Sequence, residues 1–185
     1  MNATSAMLMF LLAAVCTWCV AEGSERAAFP LKAEMVAVPS VADSWMIQTG
    51  NIKVTFSDRH AEMWTKDGSC VSPRVSSSGK VGWVHVDKSQ IDSINKRRIG
   101  IDVVVVQTID GTKKTFPPHS EAPFIEGWGF VDNGSAIAIE SRRQHGHAFY
   151  IKYKTDTGQK IEEIDYYTPV EQLPLWAQSV SGNLK

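Results

Sequence analysis

The amino-acid sequence predicts an all-β fold, an antiparallel meander of about ten strands packed compactly and followed by a short C-terminal helix. Three observations predict it. Apolar and polar residues alternate at period two through most of the chain. Asp-Gly and Asn-Gly pairs punctuate those segments at close intervals. Helical spacing appears only after Thr168.

Ile52, Val54 and Phe56 alternate with Lys53 and Thr55, as a half-buried strand does. Ala61 to Thr65 is a second short candidate, ended by Asp67-Gly68, and a further short strand fits near Cys70–Val71. Val81, Trp83 and His85 alternate with Gly82, Val84 and Val86 after the turn Ser76-Ser77-Ser78-Gly79. The run Val103-Val104-Val105-Val106 suits a strand covered on both faces. Asp110-Gly111 reads as a two-residue turn into Thr112–Phe116, since both residues tolerate positive φ. Asp132-Asn133-Gly134 separates Ile125–Val131 from Ser135–Ser141. The loop around His145-Gly146 leads into His147–Tyr153, and Thr155-Asp156-Thr157-Gly158 into Gln159–Ile164.

The tail differs. Thr168-Pro169-Val170-Glu171 matches a capping box with Pro at the first helical position. Leu173, Trp176 and Val180 share a helical face that packs on the sheet, and Pro174 keeps the helix short or broken.

Upstream, Ala6 to Ala21 carries no charge and holds the apolar block Met7–Leu12 with Val15, ending in small residues. Residues 1–21 therefore read as a signal peptide, too short an apolar run for the ~20 residues of a bilayer span. Residues 22–44 read as a lead-in segment and 45–185 as one all-β domain. The expected location is secreted or periplasmic, with no membrane span after cleavage. Cleavage would remove Cys16 and Cys19 and leave Cys70, which reads as a small buried apolar residue. No disulfide then supports the fold, and the core must suffice, as it does for domains of about 150 residues.

Composition narrows function by exclusion. Nineteen Lys and Arg against twenty Asp and Glu leave a net charge of −1, so no nucleic-acid partner is expected. No Gly-x-Ser-x-Gly elbow, phosphate-cradling Gly-rich loop or usual zinc-ligand spacing occurs, so no catalytic residue, cofactor or metal is assigned. His145-Gly146-His147 is the most metal-like feature, with His119, His60 or Glu140 as further ligands that the fold would have to deliver. Exposed aromatic residues of β domains anchor sugars or protein partners. Trp128, standing between two glycines, Tyr150, His145 and His147 are the candidate binding residues, whereas Trp83 and Phe149 read as core.

A weak internal repeat aligns Ser78-Gly79-Lys80-Val81-Gly82-Trp83-Val84 with Asn133-Gly134-Ser135-Ala136-Ile137-Ala138-Ile139, each followed by a strand and a Gly-containing turn. Its spacing is not constant, 55 residues from Gly79 to Gly134, 47 from Gly111 to Gly158 and 43 from Gly68 to Gly111, and a period in this range suits one four-stranded propeller blade. Those segments, with Gly127-Trp128-Gly129-Phe130-Val131 and Tyr150-Ile151-Lys152-Tyr153 before Asp156-Thr157-Gly158, resemble TolB-type β-propeller repeats over roughly residues 50–165. The resemblance implies propeller-blade-like four-stranded units, a binding or scaffolding role and no catalytic residue. The chain would hold two strands, then four, then four, which is short of the ~4 blades of a ring. The expected function is an exported, non-enzymatic binding or assembly module acting on a protein partner or on its own copy. A lipocalin-like carrier is the alternative, although Asp43-Ser44-Trp45 stands where Gly-x-Trp is expected. A metal-dependent hydrolase using His145, His147 and a carboxylate is the third reading.

Overall fold

The computed structural model describes residues 28–38, 48–86, 102–143, 146–165 and 167–182, with the backbone of 91–92 and 97–98. The expected leader and His145 lie outside the described residues. The strands are β1 (Pro30–Ala37), β2 (Gly50–Phe56), β3 (Ala61–Met63), β4 (Cys70–Val75), β5 (Val81–His85), β6 (Ile91–Asp92) and β7 (Arg97–Arg98). They continue with β8 (Val103–Gln107), β9 (Lys113–Phe116), β10 (Phe124–Val131), β11 (Ala136–Arg142), β12 (Ala148–Lys154) and β13 (Lys160–Ile164). One helix, α1 (Leu175–Gln178), follows.

All pairings are antiparallel. One sheet runs β1-β2-β4-β5-β8-β9 with β3 also on β2, a second runs β10-β11-β12-β13, and β6-β7 form a separate small hairpin. β2 meets β4 through one residue pair, Gly50 with Cys70. Beyond that pair Ile52, Val54 and Phe56 of β2 cluster with Cys70, Val81, Trp83 and Val105. Because alternate strand residues face opposite ways, Val84, Val104 and Val106 point to the other side, where they meet Ile125, Trp128, Ile137, Ile139 and Ile151 of the second sheet. The valine run of β8 is therefore covered on both faces, as its composition predicts.

The arrangement is two strands with a short third, then four, then four, in stacked layers. β1 is an addition, since residues 30–37 have no apolar period. This strand is the outermost of its sheet, largely exposed, and held by its backbone pairing to β2. The barrel alternative does not describe the molecule, because the described strands form separate sheets whose facing sides are filled by side chains.

Trp128 fixes the distance between the two four-stranded layers. It is fully buried, and a Cβ on Gly82 would come within 2.7 Å of its ring. Its indole N–H donates to the Ser72 carbonyl at 3.0 Å, where the β4–β5 register slips and Ser72 takes φ +52°. Pairs aligned in the sequence repeat, such as Val84 and Ile139, lie in this shared core. The repeat's turns also touch. Ser77 Oγ donates to the Asn133 carbonyl at 3.0 Å, and Lys80 Nζ reaches Thr155 Oγ1 at 2.8 Å and Asp156 Oδ1 at 2.6 Å. The turn at Asp110-Gly111 is wider than two residues: Thr108 N–H donates to the Thr112 carbonyl at 3.0 Å, and Gly111 alone there has positive φ.

The far face of the second sheet is covered by the C-terminal segment. Leu173, Ala177 and Val180 pack on Ala138, Ala148 and Tyr150, with Trp176 beside them. As Pro174 requires, the helix is a single short turn preceded by a 3-10 turn at Val170–Gln172. Glu140, wholly buried in β11, receives Arg142 Nη2 at 2.7 Å and the Gly182 N–H at 2.5 Å, which ties the segment's end to the sheet. Gly127 allows the approach, since a Cβ there would sit 1.8 Å from the Val180 carbonyl oxygen.

Gly127→Ala is expected to lower unfolding free energy by about 1–3 kcal/mol through overpacking. Urea denaturation reads the loss, and proteolysis should cut first within residues 173–182. An unchanged midpoint with a protected tail would show that the segment yields without cost.

Candidate functional site

The second sheet has two unlike ends. At one end the glycine turns stack on the first sheet. At the other, the loops before β10, between β11 and β12, and after β13 surround an open groove of about 470 Å³ lined by Glu121, Arg143, Gly146, His147, Phe149, Asp165 and Tyr167. That volume is within the range of small-molecule and side-chain pockets.

Local chain geometry places each group. Gly146 and His147 lead into β12, whose alternation turns Ala148 and Tyr150 toward the tail and leaves Phe149 half-buried on the other side. Phe149 stacks on His119, with ring centroids 3.9 Å apart and planes within 1°. The His119 Nδ1 accepts the Glu121 N–H at 3.2 Å, so its Nε2 carries the hydrogen and points to Glu163 Oε1 at 3.4 Å. Asp165 accepts the Tyr167 N–H at 3.0 Å, an Asx turn that presents the Tyr167 ring with 81% of its surface exposed. Across the groove Arg143 is ion-paired with Glu121. The wall is thus aromatic at its base and carries groups of both charges at its rim, a surface for a side chain with an apolar stem and a polar tip.

Of the four binding candidates from the sequence, His147 lies on this groove and is exposed. Trp128 and Tyr150 are buried, at 0% and 4% exposure. Trp128 is the packing wedge between sheets, and Tyr150 shares a hydrogen bond of 3.2 Å with Ser181 under the tail. Neither presents a ring to a ligand. Their apolar strand positions carry that outcome, and the glycines beside Trp128 serve close packing of the protein on itself. Phe149 shows the opposite difference: read as core, it forms the groove's base. Glu140, considered as a metal ligand, is held by Arg142 and Gly182. Tyr167 and Asp165 carried only a weak signal in the sequence, an aromatic residue and an acid at the end of the last strand candidate. Glu121 and Arg143 had no signal, because their meeting depends on loops 22 residues apart.

The four-stranded antiparallel sheet β10–β13, stacked on strands β4, β5, β8 and β9 of the first sheet, gives the chain a β-propeller-like fold. Among solved structures it is similar to the β-propeller domain of the Trilobed protease from Pyrococcus furiosus, with a TM-score of 0.52 and 12% identity. The match covers 74% of this chain and 42% of that one, so the chain spans less than half of the neighbour's length. No family model matches the sequence, and no curated protein matches it. Among the described residues no helix is long and apolar enough to cross a membrane.

The groove sets the titration of His147. Partial desolvation, and then the Arg142 guanidinium, hold its imidazole below the usual histidine value, while Asp165 opposes them. By NMR titration Arg142→Met should raise the His147 value and Asp165→Asn should lower it further. A shift of the opposite sign in either variant would remove Arg142 and Asp165 as the groups that His147 senses.

Proposed function

We propose that the protein is an exported, non-catalytic binding module of the TolB-like propeller type, and that it engages a protein partner through the groove at the open end of its second sheet. The observation that carries the reading is the Tyr167 ring, held outward by Asp165 beside the Phe149–His119 stack. A mostly exposed tyrosine over an apolar base is the kind of rigid anchor that dominates protein interfaces. β13 supports it: it is the last strand of its sheet in pairing order, with Ile161 exposed, and so offers an edge on which an extended segment can align. The uncharged apolar run before Glu22 supports export to a secreted or periplasmic location.

A photo-crosslinking residue in place of Tyr167 tests the reading in extracts of producing cells. A discrete protein adduct is expected, one that His147→Ala with Phe149→Ala reduces at least about tenfold, a loss of about 1.4 kcal/mol. The same reporter at Thr157, exposed at the opposite end of the sheet, should give none. An adduct of twice the chain mass makes the partner a second copy. Equal labelling at both positions, or none at Tyr167, overturns the groove as the contact surface.

A further inference from the structure

Away from the groove, three unlike donor side chains converge where β4 begins. Asp67 lies in the turn that enters β4, Cys70 is the first residue of that strand, and His85 ends β5 directly opposite Cys70. Cross-strand partners project to one face of the sheet, so the thiol and the imidazole share a side. Asp67 Oδ1 is 3.7 Å from Cys70 Sγ, and Asp67 Oδ2 is 3.6 Å from His85 Nδ1. The three donor atoms all lie within 4.8 Å of one another. Around a tetrahedral zinc ion with bonds of about 2.0–2.3 Å, neighbouring donors stand about 3.3–3.6 Å apart. Each oxygen of the Asp67 carboxylate therefore already stands close to ligand spacing from one of the other two donors, and a small contraction of the cluster would bring a single set of three donors to that spacing.

We propose that Asp67, Cys70 and His85 form a three-ligand site for a zinc-class divalent ion, with water in the fourth position. The donor set favours this class, since thiolate and imidazole suit zinc and cobalt, whereas calcium and magnesium need oxygen. The ligands are held in place. Asp67 Oδ1 accepts the Ser69 N–H at 3.0 Å, and Thr65 Oγ1, which accepts the Ile52 N–H at 2.8 Å, lies 3.5 Å from the thiol. The approach is one-sided: Cys70 is fully buried, while Asp67 and His85 reach solvent, so the open position faces water. Burial pushes the Cys70 thiol up to about 11, against the Thr65 hydrogen bond that favours the thiolate. At neutral pH the free side chain is therefore a thiol and a poor nucleophile. On binding, the ion replaces the thiol proton, which leaves to solvent as the metal–sulfur bond forms. This site is separate from the groove and does not depend on its reading.

The test titrates cobalt into the metal-stripped full chain carrying Cys16→Ser and Cys19→Ser, so that Cys70 is the only thiol. A near-ultraviolet thiolate-to-cobalt band with tetrahedral visible bands, saturating at one equivalent and bleached by zinc, is expected. Asp67→Asn keeps the acceptor for Ser69 and should fold, as circular dichroism will read, yet weaken cobalt binding more than about tenfold, as loss of an outer partner already does. His85→Asn should do the same, and Cys70→Ser should abolish the ultraviolet band. No thiolate band in the folded parent, or an affinity unchanged in Asp67→Asn and His85→Asn, overturns the site.

Discussion

An antiparallel sheet that is apolar on both faces needs a cover on both, and the architecture of this chain follows from that requirement. The central layer presents Val84, Val104 and Val106 on one side and Val81, Trp83 and Val105 on the other. The second sheet covers the first set, and the β1–β3 layer folds back over the second. In a closed propeller each blade is covered by the next one around the ring. Here the far face of the second sheet receives the C-terminal segment instead, with Leu173, Ala177 and Val180 in the place of another blade. Stacked repeat proteins use terminal caps for the same reason.

The stack is held at a fixed spacing by one bulky side chain and by missing ones. Trp128 brings the largest apolar surface of any residue type into the interface, and it fits because Gly82 presents no Cβ to its ring. Its polar end needs a buried acceptor, which the slipped register of β4 supplies at Ser72. Tail and sheet are matched in the same way. Gly127 admits the Val180 backbone, and the buried Glu140 carboxylate is neutralised by Arg142 while it accepts the Gly182 N–H. A buried carboxylate with one partner removed is costly, so this contact holds the tail in one position as well as covering the sheet.

Period two and turn chemistry carried most of the fold in the sequence. The alternation of Ile52, Val54 and Phe56, the valine run, and the glycines at 79, 111, 134 and 158 all appear where they were read, each of those glycines at positive φ. β1 was not legible, since an exposed outer strand buries too little to impose a pattern. Phe149 and Trp128 were misread in opposite senses. Whether an aromatic residue faces a neighbouring layer or a loop is decided by what the tertiary fold puts opposite it. The thiol cluster stayed hidden for a related cause: Cys70 and His85 meet through the β4–β5 register, and Asp67 joins them through a turn. No local ligand spacing encodes that meeting.

A common polarity connects the two candidate sites. The turns after β4, β10 and β12 lie at one end of the layers and bind one another through Ser77, Lys80, Asn133 and Asp156. Mutual packing constrains that end, and a change in any of these turns disturbs its neighbour. The opposite end carries the start of β4, the end of β5, and the loops around β11, β12 and β13. In the sequence seventeen residues separate β5 from β8, whereas five separate β11 from β12. Loops that join strands at a sheet end can differ in length and side chains without loss of core, which is why binding residues gather on them. The groove and the Asp67–Cys70–His85 cluster both lie at this end. One end of each sheet thus maintains the stack, and the other presents the candidate chemistry.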